Sequence, residues 1–280
     1  MADYFDPRPD TIKGRIRIAL MELHREHQAA GMLPTSCRFL FYELVARGII
    51  TKGGNRPDQP VIKALTQLRE QGLIPWEDIV DETREVSSFT GSATVAGDLL
   101  AYVDVACLDP WDGQVPFILT ESRSLAGVLR DICNQYRCRI ASTNGQVRGF
   151  LHTKVVRALG PESRIGYLGD FDLSGGHIEE NTRRVLESEL GALDWRRLAL
   201  TEEQVAAYGL PTVSKSDKRY RDGEGDHEAV ESEALSQSII VGIVRGWLDS
   251  LLPTPLVEIH ASEDEQREEL RRLIEDVTER

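Results

Sequence analysis

The sequence predicts an α/β protein: a helical N-terminal segment, then a parallel sheet with helices on both faces. Two apolar runs that end in acids carry the sheet. Pro116-Phe117-Ile118-Leu119-Thr120-Glu121-Ser122 stops at one carboxylate, and Arg164-Ile165-Gly166-Tyr167-Leu168-Gly169-Asp170-Phe171-Asp172 stops at two. Runs of this length bounded by turn signals read as buried strands. Between them lie a helical period (Leu125, Val128, Leu129, Ile132) and a further strand from Cys138 to Ser142. The third observation is that residues 10 to 75 repeat apolar side chains mainly at helical spacing.

Composition fits a soluble protein of one or two domains: 280 residues, 41% hydrophobic and 28% charged, enough chain for a substantial core. No apolar run reaches the roughly 18 to 20 residues of a membrane span. Met1 to Pro7 has neither a basic nor an apolar leader region, so a cytoplasmic location is expected. Cys37, Cys107, Cys133 and Cys138 lack zinc-ribbon spacing and read as free thiols in a reducing compartment. The net charge of −13 opposes a nucleic-acid partner until its distribution is considered. Residues 1–75 carry 11 Lys and Arg against 8 Asp and Glu, whereas residues 222–280 carry 5 against 16. The acidic excess therefore sits at the C-terminal end and leaves the N-terminal segment free to face phosphates.

In chain order, Ile12, Ile16, Leu20 and Leu23 set a first helix from Thr11 to Gly31. Pro34-Thr35-Ser36 offers an N-cap for a second, Cys37 to Arg47, closed by Gly48. Ile49-Ile50 is expected as a short strand, Thr51 to Gln59 as a basic loop, and Pro60 as the start of a third helix ending at Gly72. Leu73-Ile74 would return as a strand. Three helices with a small strand pair is the winged-helix arrangement, whose last helix commonly enters the DNA major groove. Lys52, Arg56 and Lys63 are the candidate phosphate contacts; use of the same domain for protein contact alone is the alternative.

On the second helix Leu40, Phe41, Leu44 and Val45 form an apolar face. Tyr42 falls on the opposite side with Arg38 one turn before it, and is expected to be exposed. A phenol with a pKa near 10 attacks phosphate only when a base or metal activates it. An arginine beside it would stabilise charge in an in-line displacement.

Downstream, Ser87 to Ala93 reads as a small-residue linker, followed by a helix through Leu99, Val103 and Ala106. At Asp170-Phe171-Asp172 the two carboxylates alternate to one side of the strand. Adjacent carboxylates repel unless a proton or cation intervenes, and hard oxygen donors suit Mg²⁺ or Mn²⁺; a helix N-cap with a spare acid is the other reading. His177 could reach a phosphate or simply lie in a helix's first turn. Lys215 to Asp226 is expected as a loop, Glu228 to Leu252 as a long helix, and Ser262 to Arg280 as an exposed helix. The expected divisions are 1–86, 87–114, 115–255 and 256–280.

The order strand–Glu121–helix–strand–helix–strand–Asp170-Phe171-Asp172–helix resembles the Toprim domain of topoisomerases, primases and related nucleases. By that resemblance Glu121, Asp170 and Asp172 would hold Mg²⁺, with Mn²⁺ as a substitute. Thr35-Ser36-Cys37-Arg38-Phe39-Leu40-Phe41-Tyr42 resembles the nucleophile segment of the topoisomerase VI A subunit and of the meiotic double-strand-break transesterase. There an arginine precedes the tyrosine by four residues, in a winged helix N-terminal to a Toprim domain. Phe39 departs from the family's polar residue after the arginine, and the chain is shorter than an A subunit.

The resemblance implies a stand-alone, miniature form that cleaves double-stranded DNA through Tyr42 and Arg38. It also implies a homodimer in which the tyrosine of one protomer meets the metal site of the other, with a separate ATPase subunit for any strand passage. Glu231 and Glu233 resemble an acidic stretch that follows the metal site in such proteins; a solvated helix start explains them equally. Two alternatives stand beside this reading. One is a hydrolytic Toprim nuclease of plasmid or phage defence, with water in place of Tyr42. The other is a DNA-binding scaffold that holds no metal.

Overall fold

The computed structural model of the protein describes residues 8–53, 56–80, 92–144, 148–160, 162–216 and 226–278. Thr11 caps the first helix, α1 (Ile12–Ala29), its hydroxyl accepting from Gly14 N at 3.0 Å. Ser36 caps α2 (Cys37–Ala46) in the same way through Phe39 N, and α3 (Gln59–Glu70) carries Pro60 in its first turn. Ile16, Leu20, Leu23, Leu40, Leu44, Val61, Leu65 and Leu68 close one core among these three helices.

The strands expected at Ile49-Ile50 and Leu73-Ile74 do not form. Ile49 N donates to Leu44 O at 3.0 Å and Leu73 N to Leu68 O at 2.9 Å, so each apolar pair begins with the residue that closes a Schellman motif after its helix. The small strand pair lies elsewhere and is parallel: β1 (Thr35–Ser36) beside β2 (Ile79–Val80). Most of the expected linker, residues 87–91, lies outside the described residues. The helix anticipated after it is present as α4 (Val95–Val105).

The central sheet is all parallel, in the order β4 (Arg139–Ser142), β3 (Phe117–Thr120), β5 (Arg164–Leu168), β6 (Asp194–Ala199). β6 was not anticipated: its Trp195-Arg196-Arg197 interrupts the apolar pattern, and only Leu198 and Ala199 are fully buried. Between strands run α5 (Arg123–Gln135) and, after β4, α6 (Arg148–Phe150), a π-helical turn (Leu151–Val155) and α7 (Val156–Ala158). After β5 comes α8 (Leu173–Leu190).

Alternation sends Phe117, Leu119, Ile165 and Tyr167 to a core with Leu151, Val155, Val185 and Leu186. Ile118, Leu168 and Leu198 face the other core, with Leu125, Leu129, Ile240, Val244 and Trp247. Gly166 belongs to this second face. A Cβ there would stand 2.6 Å from Leu198 Cδ1 and 2.8 Å from Trp247 Cζ3, so the residue lets the tryptophan lie on the strand.

α9 (Glu202–Ala207) follows β6. The loop expected from Lys215 to Asp226 is bounded by an antiparallel pair, β7 (Val213–Ser216) and β8 (Asp226–Ala229), with residues 217–225 outside the described set. The helix expected from Glu228 begins later, as α10 (Gln237–Leu251), because Ser236 caps it and residues 231–234 form a separate turn. α11 (Leu256–Thr278) starts six residues before the expected Ser262. Among the described residues no single helix is long and apolar enough to cross a membrane.

The N-terminal helices are packed against the sheet body. Phe39 leaves the helical core and enters the sheet's core. Gln237 accepts from Thr35 Oγ1 at 2.5 Å and donates to Met32 O at 2.7 Å and Pro34 O at 3.2 Å.

Candidate active site

Strand register brings the acids together. Thr120 of β3 pairs with Leu168 of β5, so Glu121 and Asp170 both follow strand ends at one edge of the sheet. Glu121 N donates to Leu168 O at 2.8 Å, and Glu121 Oε2 accepts from Asp170 N at 3.2 Å. Burial, then repulsion from Asp170, pushes Glu121 up to about 7. Asp170 is raised for the same reasons, burial first and Glu233 next, although Ser232 donates to its Oδ1 from both N (2.9 Å) and Oγ (3.0 Å).

Asp172 is turned to another task. It caps α8, accepting from Gly175 N at 2.7 Å. The two glycines expected to make a flexible turn lie in that helix's first turns. A Cβ on Gly175 would stand 2.4 Å from Asp170 O, so the close approach of helix to strand end requires glycine. Arg197 fixes the Asp170 loop by donating to Gly169 O (3.1 Å), Asp170 O (2.7 Å) and Leu200 O (2.6 Å), while it pairs with Glu179.

Among the described residues no three His, Cys, Asp or Glu side chains stand around a common point. Glu121 and Asp170 nevertheless fit a hard divalent cation: all their donors are carboxylate oxygens, and both charges are disfavoured without a counter-ion.

Phe171 and Val230 exchange backbone hydrogen bonds at 2.8 and 2.9 Å. This bridge lays Glu231-Ser232-Glu233 along the Asp170 loop and against α2. Tyr42 donates its hydroxyl to Glu231, and Arg38 Nη2 lies 2.8 Å from Glu231 Oε2. Arg38 Nε lies 3.2 Å from Glu233 Oε1, which also accepts from Ser122 Oγ and Ser124 Oγ, each at 2.6 Å. Burial works against the Arg38 charge, but Glu233, Glu231 and Asp170 outweigh it and raise its pKa.

Glu231 and Glu233 are thus no solvated helix start; Glu233 is 1% exposed. Tyr42 is likewise not the exposed residue its helical position suggested. It is 6% exposed and stacked edge-on to Phe41, because α2 is covered by the helical core on one side and the 231–233 strip on the other. Lys52 Nζ sits 4.9 Å from the Tyr42 ring centre and 3.8 Å from Glu231 Oε1, whereas Arg56 and Lys63 are exposed.

Two clefts flank this arrangement. One of about 500 Å³ is lined by Arg38, Tyr42, Lys52 and Glu231. The other, about 770 Å³, is lined by Asp170, Asp172, His177 and Arg197. His177 lies in the second turn of α8, one residue beyond the expected first turn, and on a cleft wall. Chemically the site offers a phenol beside a carboxylate, a guanidinium, and two acids whose charged forms burial disfavours, all in one chain. The roles of Ser122, Ser124, Ser232 and Arg197 had no signal in sequence spacing. No family model, curated protein or solved structure matches the chain.

Proposed function

We propose that the protein cleaves DNA strands by transesterification, as a relative of the topoisomerase VI A subunit with winged-helix and Toprim-type parts. The observation that carries this is the Tyr42 hydroxyl bonded to Glu231, whose neighbour Ser232 holds Asp170. In this reading the Tyr42 oxygen forms a bond to phosphorus and its proton passes to Glu231. The P–O3′ bond breaks, O3′ takes a proton from solvent, and the 5′ phosphate stays on the protein. Arg38 carries the charge that grows on the non-bridging oxygens. Mg²⁺ or Mn²⁺ held by Glu121 and Asp170 would supply further charge neutralisation at the phosphate.

Tyr42 and Asp170 are linked through residues 231–232 of the same chain, so this reading sets the nucleophile and the acids within one protomer. A homodimer remains part of the proposal. Of the eleven exposed large apolar side chains among the described residues, eight lie on α4 and α11, including Leu99, Tyr102, Leu270 and Leu273. A cytoplasmic setting and an ATPase partner for strand passage belong to the same reading.

The burial of Tyr42 favours a second reading, hydrolysis. There a water oxygen forms the bond to phosphorus and its proton passes to the pair Glu121 and Asp170; the P–O3′ bond breaks, and O3′ takes a proton from solvent. A covalent trapping assay with Mg²⁺ or Mn²⁺ separates the two. Transesterification leaves protein linked to 5′ ends, hydrolysis leaves free ends, and cleavage without any protein-linked DNA would overturn the first reading.

A further inference from the structure

At the end of the sheet opposite the acids, a cleft of about 320 Å³ is lined by Arg139, Arg157 and Arg164 with Glu162 as its single acid. The fold gathers them from three places: Arg139 opens β4, Arg164 opens β5, and Arg157 lies on α7. None of these arginines has a carboxylate partner among the described residues; Arg164 has only a long bond from Nη1 to Leu251 O at 3.5 Å. Arg164 and Asp170 are six residues apart along β5 and its end, so the cleft lies roughly 20 Å from the acids at the strand rise of about 3.3 Å per residue.

The chain carries a net charge of −13, yet three arginines and a single acid line this cleft. Elsewhere this chain pairs arginines with carboxylates, as in Arg38 with Glu231 and Glu233, Arg197 with Glu179, and Arg271 with Asp104. Like charges held together repel, and an anion relieves them. The guanidinium fork matches the oxygens of a phosphate group in two-point contacts. With Glu162 subtracted the cleft offers two net positive charges, which suits a doubly charged phosphate or two neighbouring phosphodiesters. Its size fits a small-ligand site.

We propose that this cleft is a phosphate-binding site, separate from the acid cluster and independent of the cleavage reading. Its phosphate comes either from a nucleic-acid backbone or from a free phosphorylated molecule.

The test is titration of inorganic pyrophosphate into the full chain, without divalent cations so that the acid cluster takes no part. Binding is read by calorimetry and by the melting temperature. The unaltered protein should bind and melt higher, Arg139→Ala with Arg157→Ala should lose both effects, and Lys154→Ala, an exposed neighbour outside the cleft, should keep them. No binding by the unaltered protein, or equal binding by the double variant, overturns the site. A second arm measures duplex DNA affinity against salt. A slope shallower by about two in the double variant assigns the phosphate to a nucleic-acid backbone. An unchanged slope with pyrophosphate binding lost assigns it to a free phosphorylated molecule.

Discussion

Tyr42 donates its hydroxyl to Glu231, a residue 189 positions further along the chain. The bond makes the phenol a partly structural group. Tyr42→Phe should therefore cost about 1.5 to 3 kcal/mol, the usual worth of a hydrogen bond to a charged acceptor, where an exposed tyrosine would have cost almost nothing. A thermal melt lower by about 3 to 6 °C checks this. If Tyr42 is the nucleophile, the same variant binds DNA and does not cut it. Cutting by the variant with free 5′ ends moves the assignment to hydrolysis.

Glu233 carries the heavier structural load. Its buried carboxylate accepts from Ser122 and Ser124 at 2.6 Å and from Ser232 Oγ at 3.2 Å, and faces Arg38. Glu233→Ala would remove one of the two carboxylates that hold Arg38 and the acceptor of the Ser122 and Ser124 hydroxyls. Because the Arg38 side chain is 45% exposed, the loss should be about 2 to 3 kcal/mol, below that of a fully buried pair. Glu233→Gln keeps an acceptor oxygen and should fall well short of that. Denaturant melts that place both variants level with the unaltered protein would show that the network does not hold α2 to the sheet.

The sheet was legible in the sequence where strands end in acids. Pro116 to Glu121 and Arg164 to Asp172 place Glu121 and Asp170 at one edge, and strand register then brings them into contact. The α2 environment was not legible. Periodicity assigns Tyr42 to the solvent side because it counts one core, while α2 touches two surfaces. The link from Tyr42 to Glu231 depends on the Phe171–Val230 bridge, a contact between segments with no spacing relation. β6 escaped because half of its residues are polar or charged; Arg197 among them holds the Asp170 loop.

Glu121 and Asp170 should respond to a divalent cation. Both are destabilised as charges by burial and neighbouring acids, so a cation that binds only the folded chain raises its melting temperature. Mg²⁺ or Mn²⁺ should do so, and Asp170→Asn with Asp172→Asn should remove the rise. Asparagine caps a helix as well as aspartate does, so Asp172→Asn keeps the α8 cap, while Asp170→Asn removes a charge that its neighbours disfavour and moves the baseline. The comparison is therefore the change on adding metal. An unchanged response in the double variant places the cation elsewhere.

Acid should weaken the hold of Glu263 on its partners around α11. Burial works against the Glu263 charge, but Arg137, the Leu108 N–H (2.7 Å) and Arg267 outweigh it and hold the carboxyl below its ordinary range. A folded pKa below the unfolded one gives stability that is present above the unfolded value and lost as pH falls through the folded value. Glu263→Gln should thus be less stable than the unaltered protein at neutral pH, with the gap closing below about pH 4.5. A gap that is constant from pH 7 to pH 3 would mean that the lost ion pair is not the cause.

The three basic residues expected to touch phosphate should separate into two kinds. Arg56 and Lys63 are exposed, and in the proposed function they act as backbone contacts. Removing each should flatten the dependence of DNA affinity on salt by about one in slope, with little effect on chemistry once DNA is saturating. Lys52 lies against the Tyr42 ring and Glu231, where a positive charge lowers the cost of forming a phenolate. Lys52→Ala should therefore slow cleavage at saturating DNA more than it weakens binding, and shift the pH–rate profile of cleavage upward. Anisotropy titrations across a salt series, beside single-turnover cleavage across pH, read both effects. If all three variants lose affinity alike and cut at the unaltered rate when saturated, Lys52 is a phosphate contact like the others and has no part in activating Tyr42.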